Sequence, residues 1–392
     1  MRQIMMYADQ AYLKTLGIKP ENLISFAGGW VNHKAPLELQ KAYKEIVSDD
    51  ESMHASGGYS PTLGMLGCKE AIVKFEKHTY AVQNLEPCHI AIGASSTQLL
   101  SDLMRVLLDP DDKVLLLDPS YCNYQSQIVT ATDANIIRFP VIDVDTWEYN
   151  ADKRIGAFVD YIQKERPKAV LLVSPDNPTS QVLSQDFVVA AYEAVCSIGS
   201  FLVVDFAYKD MVFEEKIPEY FSWGPTDNLI SIHSNSKWSR SLGRRLGWIE
   251  ADESVIQALD SIQSSTILCP DTLHQMAFQR CVNEAVENNT LRPYIKKVSD
   301  DYKKAAFFTV AAIKKYTNAK FLVPQGGLFT CIDVSMDGAV FVEKALKETG
   351  VLLVPGWGFG KTLKNAVRLS FGPLVYDLQK IEEGIKRVSR LL

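Results

Sequence analysis

Ser234-Asn235-Ser236-Lys237, followed by Arg245, joins an amine able to form a Schiff base to hydroxyls and a guanidinium able to hold an anion. A lysine amine is a poor nucleophile while protonated, so this use requires burial and nearby cations that lower its pKa. A carbonyl cofactor that carries a phosphate, pyridoxal 5'-phosphate, would engage both halves of the set. Upstream, the apolar run from Phe201 to Val204 ends in Asp205 and, three residues on, Tyr208. In the same chemistry the Asp205 carboxylate pairs with the pyridine nitrogen and keeps the ring an electron sink, while Tyr208 donates to the phenolate oxygen. A helix N-cap is the plain alternative for Asp205.

Two further clusters have the same strand-then-turn shape. Ala169 to Val173 runs into Ser174-Pro175-Asp176-Asn177-Pro178-Thr179-Ser180, where Pro178 excludes Asn177 from the helical region. His89 to Ile92 runs into Gly93-Ala94-Ser95-Ser96-Thr97-Gln98, ahead of the helical pattern Leu99, Leu103, Leu107. A phosphate at a helix N-terminus meets free N–H groups and the positive end of the dipole, which makes Ser95, Ser96 and Thr97 candidates for phosphate binding or simple caps.

In this order the motifs resemble those of the fold-type I pyridoxal phosphate enzymes, specifically the class I and II aminotransferases, over almost the whole chain. The resemblance implies that Asn177 bonds the phenolate oxygen and that Lys237 is the Schiff-base lysine. It also implies that Ser234 and Arg245 hold the phosphate and that the Arg368 guanidinium, in Val367-Arg368-Leu369-Ser370-Phe371, grips the substrate's α-carboxylate. Asp118-Pro119-Ser120-Tyr121 is similar to a family segment whose tyrosine stacks on the pyridine. Gly57-Gly58-Tyr59 is similar to one whose tyrosine reaches the phosphate in the neighbouring subunit, so a homodimer with shared sites is expected. Ser25-Phe26-Ala27-Gly28-Gly29 resembles the kynurenine and aminoadipate branch, in which backbone near Gly29 approaches the substrate. Trp30 departs from that branch, either as a pocket wall or as packing on the small domain.

Other departures concern the substrate. Ser180 stands where the family has glycine, so the turn must change its backbone geometry or tolerate strain. Trp238 and Arg240 follow the lysine where small residues are usual, and either could narrow the pocket or recognise an extra substrate group. Arg240 or Arg244 could supply the second cation an aspartate-type donor needs, whereas Tyr12, Trp30 and Tyr121 favour a large or aromatic one.

Strand-like runs alternating with helical ones predict an α/β fold with a mostly parallel sheet, whose strand ends carry Asp118, Ser174, Asp205 and Ser234. The expectation is a three-layer large domain over residues 45–268 and a smaller α+β domain built from residues 1–44 and 269–392. A chain of 392 residues, 47% hydrophobic, can bury such a core. Its net charge of -6 gives no basic footprint for nucleic acid or anionic membranes. Seven scattered cysteines without a Cys-x-x-Cys pair, and six histidines without metal-ligand spacing, argue against disulfides and metal and favour the cytoplasm. The start, Met1 to Met6, has no apolar run of leader length. His233 is expected to be a strand residue, and Ala305 to Ile313 an amphipathic helix. The predicted activity is amino transfer from an L-amino acid to a 2-oxo acid by a ping-pong cycle through Lys237. The alternative is a β- or γ-eliminating lyase or a cyclase using the same residues.

Overall fold

Apolar runs that put one hydrophobic set up and the next down form the centre of the molecule. The computed structural model describes residues 10–392, with side chains from Leu13 onward, so Met1 to Met6 and the Tyr12 side chain lie outside the described residues. Seven strands make the main sheet: β1 (Ile90–Gly93), β2 (Lys113–Asp118), β3 (Asn135–Pro140), β4 (Ala169–Val173), β5 (Phe201–Asp205), β6 (Leu229–Ser234) and β7 (Gly247–Glu250). Their order across the sheet is β1-β7-β6-β5-β4-β2-β3, and only β7 runs antiparallel to its neighbours.

Alternation sorts the strand residues between two cores. Leu115, Val170, Leu172, Leu202 and Val204 face α2 (Leu66–Tyr80), α5 (Ile155–Glu165) and α6 (Gln185–Ser197). Val114, Leu116, Leu171, Val203 and Ile232 face α3 (Ser96–Leu107), α4 (Asn123–Thr132) and α7 (Glu253–Thr266). A sheet buried on both faces requires such continuous apolar strands. The result is the expected three-layer α/β arrangement.

The smaller unit has its own core around α9 (Leu291–Tyr316), α10 (Gly338–Thr349), α11 (Leu378–Val388) and an antiparallel sheet of β8 (Phe329–Asp333), β9 (Val354–Pro355) and β10 (Ala366–Ser370). Ala305, Ala306, Val310 and Ile313 are the buried stripe of α9. Ile24 and Ser25 pair in parallel with Val351 and Leu352, which ties the N-terminal segment to the C-terminal part. The packing divides elsewhere than at residues 44 and 268. Residue 44 lies inside α1 (Leu37–Ser48), and α8 (Thr272–Glu287) buries Phe278, Val282 and Ala285 in the large core beside Phe75, Trp238 and Trp248. The change of core falls within α9, where Leu291 and Ile295 join the large core and Val298 the small one. No described helix is long and apolar enough to cross a membrane.

One buried cluster in the large core is ionic. Lys209 donates to Glu76 at 2.7 Å and lies 4.0 Å from the centre of the Tyr80 ring. His233, on β6, lies between Glu76, at 3.3 Å, and Glu250, at 3.5 Å. Burial drives its pKa well below the usual value and keeps the ring neutral, and burial with the neighbouring Glu76 pushes Glu250 up to about 8.

Candidate active site

The carboxyl ends of β4, β5 and β6 open into a cavity of about 410 Å³, closed on another side by β9, β10 and the N-terminal segment. Lys237, Asp205, Tyr208, Asn177, Ser234, Arg245, Tyr121 and Arg368 all line it. This convergence comes from topology: each strand end delivers one polar residue to the edge where the parallel strands stop. Gly247 makes the closest approach possible. A Cβ there would lie 2.6 Å from Ser96 N and 2.7 Å from His233 O, so a side chain would push the start of α3 away from β6.

Lys237 Nζ donates to the carbonyl of Gly29 at 2.6 Å and lies 5.4 Å from the centre of the Tyr208 ring. Burial, followed by the Arg368 and Arg245 cations, lowers its pKa to about 8, with Asp205 opposing. Asp205 accepts from Tyr124 Oη at 2.8 Å and from Ala207 N at 2.8 Å. Burial raises its pKa, against the hydrogen bond from Tyr124. Such a carboxylate, aimed into the cavity, fits a protonated ring nitrogen. Tyr208 is buried and its phenol is held protonated, above all by burial.

Arg368 is fixed before any ligand arrives. Its Nη1 donates to Asn177 Oδ1 and its Nη2 to Ala27 O, each at 2.9 Å, while Nε is buried without a partner. The rings of Phe329 and Phe359 lie 4.3 and 5.1 Å from its guanidinium carbon. An Nε–H left unsatisfied in a buried guanidinium fits a carboxylate ligand.

Ser96 and Thr97 reach the cavity at the start of α3, but Ser95 is buried outside its lining. Ser95 precedes the helix with φ of +137°, a backbone conformation that L side chains rarely adopt. Tyr59 is 86% exposed and lies outside the cavity of its own chain. Gly29 and Trp30 line the cavity, and the Trp30 indole also lies over Gly28. Ser180 keeps the left-handed backbone a glycine would use, with φ of +57°. Its hydroxyl compensates by accepting from Phe329 N at 3.0 Å.

Three sequence expectations are corrected. Trp238 is in the large core, its ring stacked 5.0 Å from that of Phe75, and does not narrow the pocket. Arg240 donates to Asn32 Oδ1 and His33 O, and Arg244 lies over the Tyr43 ring. Neither guanidinium lines the cavity. The residue after Lys237 points inward because the chain turns back there toward Phe278 and Tyr294.

The sequence reading missed Tyr124, Trp357 and Phe359. Tyr124 lies in the first turn of α4 and Tyr121 just before that helix, and their rings meet edge to face at 5.3 Å. Trp357 follows the Pro355-Gly356 turn, where the glycine signalled a turn but not its direction.

A family model described as "Aminotransferase class I and II" matches residues 23–388. The chain belongs to this family. As a class I and II aminotransferase it is a pyridoxal phosphate-dependent enzyme, and the cavity has the donor set that cofactor needs. The chain is 25% identical over 383 residues to an aspartate aminotransferase of Thermotoga maritima, covering 97% of this chain and 94% of that protein. It is 25% identical over 395 residues to aromatic-amino-acid aminotransferase 2 of Thermococcus litoralis, covering 95% and 92%. The solved structure of Thermus thermophilus aspartate aminotransferase with maleate superposes with a TM-score of 0.85 at 19% identity, over 100% of this chain and 96% of that one. These aminotransferases give no support to the lyase or cyclase alternative.

Proposed function

We propose that Lys237, Asp205, Tyr208 and Arg368 are the working residues of this aminotransferase. The observation behind the proposal is that a lysine held only by a backbone carbonyl shares one cavity with a buried carboxylate and a preset guanidinium. Pyridoxal phosphate, when bound, supplies the electron sink that lets an amino acid lose its Cα proton. Asp205 would hold the ring nitrogen, Tyr208 and Asn177 the phenolate oxygen, and the Tyr121 ring the pyridine face. Ser96, Thr97, Ser234 and Arg245 would hold the phosphate. Arg368 binds the α-carboxylate through its free Nε–H and fixes which Cα bond stands beside Lys237. With its pKa lowered to about 8, Lys237 has a far larger free-amine fraction at neutral pH than an ordinary lysine, so Nζ would take the proton from Cα and deliver it to the C4' carbon of the cofactor.

A 2-oxo acid completes the cycle in the same cavity. The highly exposed Tyr59 supports a homodimer in which it reaches the partner's phosphate site, and seven free cysteines among the described residues fit the reducing cytoplasm.

The decisive variant is Asp205→Ala. It is expected to keep the fold by circular dichroism and to lose at least about a hundredfold in the half-reaction with an amino acid, followed by cofactor absorption. An unchanged rate removes Asp205 from its role.

A further inference from the structure

The cavity holds more than the groups that cofactor and α-carboxylate use. Among the described residues its cations are Lys237, Arg245 and Arg368, each already assigned, and its one carboxylate is Asp205. Much of the remaining lining is apolar: Trp30, Trp357, Phe359, Leu242, Val354 and Pro355. Trp30 and Trp357 are 49% and 54% exposed, although most large rings of this chain are buried. An indole left open on a cavity wall is contact surface in wait of an apolar partner.

Trp30 is also held in place. Its indole lies over Gly28 so closely that a Cβ there would run into the ring, and this stacking fixes the wall's position. A side-chain carboxylate placed here would leave water for indole faces with no unassigned cation among the described residues of this chain to receive it, and a side-chain ammonium would meet the three resident cations.

We infer that the donor is an amino acid with a large, uncharged, apolar side chain, best an aromatic one, and that Trp30 and Trp357 select it. The inference rests on the aminotransferase reading above, with Arg368 on the α-carboxylate. Two of the relatives divide on this point, one named for aspartate and one for aromatic amino acids. The cavity of this chain sides with the second.

The test compares two unreactive acids and three donors on the holoenzyme. Calorimetry should show 3-phenylpropionate binding at least about tenfold more tightly than succinate. The amino-acid half-reaction should give a kcat/KM for phenylalanine at least about tenfold above those for aspartate and alanine. Trp30→Ala and Trp357→Ala should each narrow the phenylalanine-to-alanine ratio and weaken 3-phenylpropionate more than succinate. Succinate binding as tightly, with aspartate the better donor, overturns the inference and leaves the aminotransferase standing. No turnover with any donor overturns the reading beneath it, while the two acids still report on the wall.

Discussion

Lys209, buried, and Lys237, largely buried, stand 28 positions apart, and their surroundings are opposite. Lys209 meets the Glu76 carboxylate at 2.7 Å and two aromatic faces. Lys237 meets a backbone carbonyl, with Arg368 and Arg245 close enough to disfavour its charge. The first site compensates an ammonium and the second penalises it. A paired buried lysine is part of the core; an unpaired one among cations is available for chemistry.

The contrast predicts opposite outcomes for one substitution. Lys237→Met should lower turnover by about three orders of magnitude or more, measured as steady-state amino transfer. Lys209→Met strands Glu76 in the core and should destabilise the protein by about 3–5 kcal/mol in urea unfolding; Lys209→Met with Glu76→Leu should recover much of that. If Lys209→Met leaves stability unchanged, the pairing means little.

Lys237→Met should instead stabilise the cofactor-free protein. A fall from the ordinary 10.5 to about 8 sets about 3 kcal/mol against the charged amine in the fold. Because the folded value lies below the unfolded one, the penalty is full below about pH 8 and fades as pH rises toward 10.5. The variant should therefore gain about 3 kcal/mol at pH 7 and markedly less at pH 10, read from urea midpoints. Arg368→Gln removes one of the two cations and should move the Lys237 titration upward from about 8, followed by amine-selective labelling against pH.

The smallest effect is expected where no charge is involved. Ser180→Gly relieves about 1 kcal/mol of left-handed strain and loses a hydrogen bond of similar worth, so stability should stay within about 1 kcal/mol.

The sequence carried the catalytic side of this comparison better than the structural side. Asp205, Asn177 and Lys237 follow apolar runs, and a parallel sheet puts all such ends on one edge, so their convergence is legible in the sequence. His233 was readable as a strand residue from its neighbours in β6. That it faces Glu76 from α2 and Glu250 from β7 was not, because those contacts depend on register and on how a distant helix sits. Trp238 failed for the same reason: adjacency to a catalytic lysine says nothing about which way the next side chain turns. Ser96 and Thr97 line the cavity and Ser95 does not, a difference that three adjacent hydroxyl residues do not show in the sequence.

The stack of Trp30 on Gly28 also sets an order on how this pocket can change. A side chain at position 28 obliges the indole to move, whereas after Trp30→Leu the ring that Gly28→Ala would displace is gone. The reverse order passes through a variant in which backbone and ring compete for one space. The two positions are thus coupled by geometry, and the effect of a side chain at 28 depends on what stands at 30.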